Sequence, residues 1–315
     1  MKNCTTLFLL LFTASLFSQT IKRDTGILNN AAYEILIPEN WNKKLVMYAH
    51  GYEQVSTPRL SLNKNPFFDV FLEKGFAVAL PSPIVSLKDT LCYELRIYSC
   101  EKGKLNDLLR RFRNHTLKIF EKHGMTNVGY WTPLDNVDEK LYYVLSYPNR
   151  AARDASWKAF GSDTTWHRVQ KESELNGKIV SKVESVFLKS TDFSPNNFKN
   201  SSNSNVWEFR IYHPTPNNLD ILLERFRGFT VKRFEQYGMT NKMYWTTDTD
   251  KAEDKKLYYF LTHPSPDAAK TAFDNFRNDP EWIATRKASE VKGGGSLTVK
   301  VESIFMYPTD FSKLK

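Results

Sequence analysis

Cysteine is scarce in this chain of 315 residues, which contains only Cys4, Cys92 and Cys100. None belongs to a Cys-x-x-Cys pair, and no cysteine–histidine cluster has the spacing of a metal site. If Cys92 and Cys100 share one extended strand, their Cα atoms lie roughly 26 Å apart, whereas a disulfide needs about 7 Å or less. The sequence therefore predicts unpaired cysteines and no metal centre.

Signatures of several functional classes are missing as well. The nucleophile motif Gly-x-Ser-x-Gly of α/β hydrolases occurs nowhere, so hydrolase activity is not expected. The formal charge is +9, but Lys and Arg alternate with Asp and Glu, and no block of five like charges occurs. Because this pattern is typical of solvated helix faces, nucleic acid is not expected as a partner.

The chain also lacks an apolar run of the length that spans a bilayer. Lys2 precedes an apolar stretch from Leu7 to Phe17, shorter than the roughly 20 residues of a transmembrane helix. The pattern is typical of a signal peptide, which we assign to residues 1–19. It predicts an exported protein, periplasmic or extracellular, with no transmembrane span. A buried N-terminal helix is the alternative.

What the chain does contain is an internal repeat. Residues 94–131 and 208–245 are identical at 20 of 38 positions. The match continues through the segments LYYVLSYP and LYYFLTHP, through Trp166 and Trp282, and through the closing VES and TDF motifs. The polar stretch 196–205 between the copies is rich in Asn and Ser and predicts a linker.

The spacing of apolar residues alternates between strand and helix periods in the same order along each copy. A strand from Tyr93 to Tyr98 is followed by a helix that ends at Gly124, by strands 126–131 and 141–147, by a second helix from Pro148, and by strand 180–188. This βαββαβ order predicts a ferredoxin-like α+β unit. Its sheet leaves one face bare, and wide apolar surfaces are rarely left exposed. The two copies are therefore expected to pair as an intramolecular dimeric α/β barrel.

These motifs resemble the NIPSNAP family. The resemblance is carried by YELRIY, by a basic helix that ends at His123-Gly124-Met125, by the GYW of Gly129 to Trp131, by Asp163…Trp166, and by the closing VES…TDFSP. The second copy departs from it where Tyr237 replaces His123 and Met243 replaces Gly129. The resemblance implies a dimeric α/β-barrel relative, and it brings no established catalytic residues.

The segment 20–89 does not repeat. AYEILIPENWNKKLVMYAHGY and FLEKGFAVALPSP resemble the opening strands of an α/β hydrolase, in which a His-Gly such as His50-Gly51 lies near the oxyanion hole. The segment is too short to close a hydrolase sheet, so we predict an inactive, truncated piece; an unrelated extension is the alternative. The predicted organisation is a signal peptide 1–19, this segment 20–89, repeat one 90–195, linker 196–205 and repeat two 206–315.

Candidate binding residues lie on the first strand of each copy. Glu94, Arg96 and Tyr98 share one face of the strand, as do Glu208, Arg210 and Tyr212 in the second copy. We expect these faces to line the space between the two sheets, with Leu95, Ile97, Phe209 and Ile211 under the helices. Buried charges need partners, so Arg96 is expected to pair with Glu94 or Glu184, and Arg210 with Glu208 or Glu302.

Two interpretations of this face stay open. One is an ion-pair lattice that holds the sheets together. The other is a pocket for a small polar or anionic ligand, anchored by Arg96 and Arg210 and lined by Trp131, Tyr143, Trp245 and Tyr259. Those aromatics are equally consistent with a packed core.

Histidines give no support for a haem site. His115, His123, His167 and His263 each align with a different residue type in the other copy. No cofactor is therefore expected. The sequence favours a non-catalytic module that binds a small ligand or a protein partner, with further dimerisation left open. The alternative is an α/β-barrel oxidoreductase, similar to a monooxygenase, that acts on a small polar substrate.

Overall fold

The computed structural model describes residues 20–28, 31–47, 66–81, 91–195 and 206–315. The chain divides into two compact units, Met1–Ser86 and Leu87–Lys315. The predicted signal peptide, the predicted linker and His50-Gly51 lie outside the described residues. No helix in the described part is long and apolar enough to cross a membrane.

The first unit contains a small mixed sheet. Its elements are β1 Ile21–Leu28, β2 Ala31–Pro38, β3 Leu45–Met47, α1 Pro66–Glu73 and β4 Ala77–Pro81. The strand order is β1-β2-β4-β3, and β3 runs parallel to β4. Leu36, Phe68, Leu72 and Val78 form its core. The likeness of this segment to the opening strands of a hydrolase stays a prediction.

The first repeat follows the predicted βαββαβ order. It contains β5 Cys92–Cys100, helix α2 in three consecutive segments (Leu105–Arg111, a π-helical turn Phe112–Thr116, and Leu117–Lys122), β6 Thr126–Pro133, β7 Lys140–Tyr147, α3 Arg150–Gly161, α4 Thr164–Ser173 and β8 Val180–Ser190. The predicted second helix is two helices. Asp163 starts the second of them by accepting a hydrogen bond from the backbone N–H of Trp166 at 3.0 Å.

The second repeat has the same elements. These are β9 Val206–Pro214, helix α5 in three segments (Leu219–Arg225, a π-helical turn Phe226–Thr230, and Val231–Gln236), β10 Thr240–Thr247, β11 Leu257–His263, α6 Pro266–Arg277, α7 Pro280–Lys292 and β12 Thr298–Pro308. A short 3₁₀ turn, Ala252–Asp254, lies between β10 and β11.

The two repeats close one barrel. Their sheets have the orders β8-β5-β7-β6 and β12-β9-β11-β10, and they join edge to edge where β10 pairs with β8 and β12 pairs with β6. Each sheet thereby covers the bare face of the other, and the edge strands find partners. The prediction of two ferredoxin-like repeats paired as an intramolecular dimeric α/β barrel is confirmed.

The prediction of which strand face points into the barrel is wrong. The interior is filled by apolar and aromatic side chains that include Tyr93, Leu95, Trp131, Phe209 and Phe260. Trp131 stacks on Phe260 with ring centroids 4.6 Å apart. Because this described cluster is apolar and aromatic, unpaired charges among its side chains would be costly. The charged face of each first strand therefore lies outward, beneath the helices.

Candidate functional site

The residues predicted to form one pocket fall into four places. Two mirrored sets lie beneath the helices and consist of Glu94, Arg96, Tyr98 and Tyr143 in the first repeat and Glu208, Arg210, Tyr212 and Tyr259 in the second. Trp131 and Trp245 lie inside the barrel. Glu184 and Glu302 lie on the inward face near one end of the barrel, opposite Ile97 and Ile211.

The two glutamates at the barrel end do not join the other sites. Glu184 pairs with Lys182 at 2.7 Å, and Glu302 contacts His213 at 2.6 Å. Their side chains keep 44% and 33% of their surface exposed. Of the alternative pairings, Arg96 with Glu94 and Arg210 with Glu208 are confirmed. Arg96 does not pair with Glu184, and Arg210 does not pair with Glu302.

Glu94 is the centre of the buried polar network in the first repeat. It is fully buried. Its carboxylate accepts hydrogen bonds from Arg96 at 2.6 Å, Ser185 at 2.7 Å, Arg153 at 2.8 and 2.9 Å, and Tyr147 and Trp157 at 3.1 Å. Burial opposes ionisation, but the hydrogen bonds from Arg153 and Ser185 and the charge of Arg96 outweigh it and lower the pKa of Glu94 to about 2.

Arg96 links this network to the tyrosines on the same face. Its Nε donates to Tyr143 Oη at 3.0 Å, and Nη2 lies 3.5 Å from Tyr98 Oη. Its guanidinium stacks 4.2 Å from the centre of the Trp157 ring. Hydrogen bonds to the tyrosines and stacking on Trp157 fix the guanidinium of Arg96 within the protein. We therefore interpret Arg96 as a structural cation and not as a ligand anchor.

A cavity of about 340 Å³ opens beside Tyr98, between the sheet and helices α2 and α4. Its aromatic walls are formed by Tyr98, Phe112, Phe120, Phe160 and Trp166. Its polar groups are supplied by Arg111, Thr116, Gln170, Glu174, Lys178 and Ser181. The cavity therefore combines flat apolar walls with a few convergent polar groups, the usual composition of a small-molecule site.

Arg111 is the buried cation of this cavity. Only 5% of its surface is exposed. Nη1 donates to Glu174 Oε1 at 3.0 Å and to Ser173 Oγ at 3.2 Å, and the guanidinium lies over the Trp166 ring at 5.3 Å. Its Nε is buried and has no hydrogen-bond partner among the described residues. A buried N–H without an acceptor is costly, so this group would gain from an acceptor that a ligand or water supplies.

The second repeat keeps the central ion pair but not its surroundings. Glu208 pairs with Arg210 and accepts from Ser303 at 2.6 Å and from His263 at 2.8 Å, where the first repeat has Tyr147. Ala269 and Phe273 occupy the positions of Arg153 and Trp157. Burial raises the pKa of Glu208, but the hydrogen bond from His263 and the charge of Arg210 bring it below its ordinary value.

Sequence reasoning missed Arg111, Arg153 and Trp157. Arg111 carried a usable signal, because Arg225 repeats it within the LLxRF segments of both copies. Arg153 and Trp157 carried none, because neither recurs in the second copy. Within the described ranges, no three His, Cys, Asp or Glu side chains converge as a metal site would require, and Cys92 and Cys100 are buried and free.

One protein-family model matches this chain. The NIPSNAP model matches residues 93–195 and 207–313. No curated protein matches the chain. An uncharacterised NIPSNAP domain protein from Burkholderia xenovorans is 22% identical, over 33% of this chain and 99% of its own, with a TM-score of 0.30. A NIPSNAP family protein from Agrobacterium tumefaciens is 20% identical, over 34% and 99% of the two chains, with a TM-score of 0.31.

A third structure is similar over a longer stretch. An anthrone oxidase-like protein matches 71% of this chain and 94% of its own, at 11% identity and a TM-score of 0.44. The family assignment rests on the family model, which covers more than half of the residues in two consecutive segments. The chain belongs to the NIPSNAP family and carries the domain twice.

Proposed function

We propose that this protein binds a small organic ligand, without chemical turnover, in the cavity between the sheet and helices α2 and α4 of the first repeat. One observation carries the proposal. Arg111, which lines a cavity of about 340 Å³, is buried, and its Nε has no hydrogen-bond partner among the described residues. Ligand cavities typically measure about 300–1,000 Å³, so the space suits a molecule of one or two rings.

The charges around the cavity favour a neutral ligand. The guanidinium of Arg111 is already balanced by Glu174 at 3.0 Å. A second carboxylate from a ligand would compete with Glu174, whereas an amide, carbonyl or hydroxyl oxygen could accept from Nε without displacing it. Stacking on Trp166 and on the phenylalanines of the walls adds affinity for a flat ring.

The state of Glu94 argues for binding over catalysis. A general base near neutral pH needs a pKa close to the working pH and a free lone pair that reaches the substrate. The pKa of Glu94 is lowered to about 2. Its oxygens accept from five side chains, namely Arg96, Tyr147, Arg153, Trp157 and Ser185. The alternative, an α/β-barrel oxidoreductase, is not favoured by any contact of the described residues.

The test is a steric block with a matched control. Val183 lines the cavity on β8, and Val301 is its counterpart on β12; they are 45% and 41% exposed. In fluorine NMR, the signals of fluorobenzamide and fluoroindole are expected to broaden when the full chain is added. Val183→Trp should abolish this broadening, and Val301→Trp should not change it. Equal effects of the two variants, or no binding by the native protein, would contradict the proposal. Oxygen- or reductant-dependent conversion of a bound ring would instead favour the oxidoreductase.

We also propose that the protein is exported, on the basis of Lys2 and the apolar stretch of residues 7–17. N-terminal sequencing of the protein from fractionated cells tests this. A start near residue 20 in the periplasmic or extracellular fraction is expected, and an intact Met1 in the cytoplasmic fraction would refute it.

A further inference from the structure

Arg225 of the second repeat occupies the position of Arg111 but forms no ion pair with any described carboxylate. Nη1 donates to Ser289 Oγ at 3.2 Å, and the guanidinium lies 5.1 Å from the centre of the Trp282 ring. Nε is buried without a hydrogen-bond partner in the described part of the chain. The guanidinium of Arg225 therefore carries one N–H group, that of Nε, without an acceptor among the described residues.

The carboxylates near Arg225 are held by other cations. Glu290 stands at the sequence position of Glu174, but its carboxylate is 4.0 Å from Arg286 and forms no ion pair with Arg225. Glu224 pairs with Lys292. Burial is the main cause that lowers the pKa of Arg225, yet an arginine side chain stays protonated at neutral pH. The second repeat thus contains a partly desolvated positive charge that pairs with no carboxylate of the described residues.

A groove of about 460 Å³ lies next to this charge, between helices α5 and α7. Small side chains leave the space: Gly228, where an added Cβ would meet nothing within 4 Å, and Ala288. Ile221 and Phe229 supply apolar surface, and Phe229 stacks on Trp282 at 6.4 Å. The groove therefore combines a positive charge for an anion with apolar surface for the rest of a ligand, and it is also lined by the paired side chains of Glu224 and Lys292.

We propose that the groove between α5 and α7 binds a small carboxylate with an apolar body, held by the guanidinium of Arg225. A bidentate carboxylate matches the paired N–H groups of a guanidinium edge in geometry and in charge. The site goes beyond the proposed function, because it lies in the other repeat and selects an anion where the first cavity favours a neutral ligand.

The experiment uses the full chain with fluorobenzoate as the probe and fluorobenzamide as its neutral counterpart, both measured by fluorine NMR. Fluorobenzoate is expected to bind at this site at least about tenfold more tightly than fluorobenzamide, since a hydrogen bond to a charged partner is roughly twice as strong as a neutral one. Added salt should weaken this binding. If both probes bind equally well to the groove, which the variant Ala288→Leu described below is designed to block, the assignment of an anionic ligand is overturned.

Three variants locate the site. Arg225→Gln is expected to lower the affinity for fluorobenzoate at least about tenfold, through loss of the charged partner. Ala288→Leu should block the groove, whereas Ala284→Leu, the same change at an exposed position of α7 outside the groove, should not. If Ala288→Leu binds fluorobenzoate as the native protein does, the proposal is wrong, whatever Arg225→Gln does to folding.

Two further results separate this inference from neighbouring ones. Val183→Trp, which fills the cavity of the first repeat, is expected to leave fluorobenzoate binding unchanged; loss of binding in that variant would place the anion in the first repeat and refute the inference. Inorganic phosphate that displaces fluorobenzoate more effectively than acetate does would overturn the assignment to a carboxylate.

Discussion

Arg113 of the first repeat and Asp310 of the second form an ion pair through two hydrogen bonds, of 2.5 and 2.7 Å. Arg227 and Asp192 form the same pair with the repeats exchanged, at 2.6 and 2.8 Å. The repeated Thr-Asp-Phe-Ser motif is thereby explained: each copy of it extends from the last strand of one repeat onto the other.

The hydroxyl of the motif's serine and the ring of its phenylalanine complete this contact. The backbone N–H of Tyr130 donates to Ser312 Oγ at 3.0 Å, and that of Tyr244 donates to Ser194 Oγ at 3.0 Å. Phe311 packs edge-on against Tyr130 with ring centroids 5.4 Å apart. The two Thr-Asp-Phe-Ser motifs, residues 191–194 and 309–312, thus each bind the other repeat, and we call each of these contacts a clasp. The clasps hold the repeats together in addition to the strand pairs that close the barrel.

We expect the phenylalanine of the clasp to contribute more to stability than its ion pair. Arg113 and Asp310 are 42% and 61% exposed, and exposed pairs contribute less than about 1 kcal/mol. Asp310→Asn should therefore lower the free energy of unfolding by under about 1 kcal/mol, and Phe311→Ala by about 2 kcal/mol, since the ring is only partly buried. Urea unfolding checks both. A larger loss in Asp310→Asn than in Phe311→Ala would reverse this ranking.

Loss of the central carboxylate should be more damaging in the first repeat than in the second. Glu94→Gln removes the anion of Arg96 and one of the two anions of Arg153, which keeps its pair with Asp154, whereas Glu208→Gln removes the anion of Arg210 alone. Removing one partner of a buried ion pair costs about 3–5 kcal/mol, so Glu94→Gln should lie at the upper end of that range. Thermal and urea unfolding of both variants measures the difference. Equal losses would show that Arg153 adds nothing to the network.

Acid should destabilise the native protein through Glu94. Its pKa falls from 4.5 to about 2 on folding, which corresponds to roughly 3 kcal/mol. Because the folded state holds the ionised form, this contribution is complete above pH 4.5 and is lost as the pH falls toward 2. Unfolding curves across this range should lose that slope in Glu94→Gln and keep it in Glu184→Gln, whose carboxylate is 44% exposed. A slope unchanged in Glu94→Gln would contradict the assignment.

Replacement of the equivalent residues Arg111 and Arg225 by glutamine should change the stability of the protein differently. Arg111→Gln breaks a buried pair with Glu174, and a loss of about 2 kcal/mol is expected, less than for a fully buried pair because Glu174 is 24% exposed. Arg225→Gln removes a partly buried charge that has no ion pair among the described carboxylates, so stability should stay level or rise by up to about 1 kcal/mol. Melting temperatures compare the two. Equal destabilisation would mean that Arg225 has a counter-ion in solution.

The free cysteines of the barrel should be unreactive in the folded protein. Burial raises the pKa of Cys100 to about 11, and it also raises the pKa of Cys92. The thiolate is the reactive form, so little of it exists at neutral pH. In a Cys4→Ser background, thiol titration with a disulfide reagent should be slow in buffer and complete in denaturant. Rapid modification of the folded protein would show that one strand end opens.

Much of the fold could be predicted, because the evidence is local or repeated in the chain. The alternation along Tyr93 to Tyr98, the helical spacing up to Gly124 and the second copy of both identify two βαββαβ units. The pairing of their bare faces follows from the cost of exposed apolar area. The break between α3 and α4 was missed. Asp163 caps α4 in the folded protein, but an aspartate in the sequence does not by itself show that a helix begins there.

The candidate site could be predicted only in part. The pairs of Arg96 with Glu94 and of Arg210 with Glu208 connect neighbours on one strand face, so spacing alone suggests them. Arg111 and Glu174 are far apart in the sequence and meet only when α4 packs beside α2. No pattern along a single strand indicates such a contact.

The sequence by itself therefore determined the duplication, the order of the elements and the ion pairs between neighbours on a strand, because period and repetition are properties of the chain. Tertiary structure alone decided which face of each strand points into the barrel. Both faces of β5 carry apolar groups, and the choice depends on where partners for Glu94 exist. Those partners, Arg153 and Trp157 on α3, are brought within hydrogen-bond distance only by helix packing.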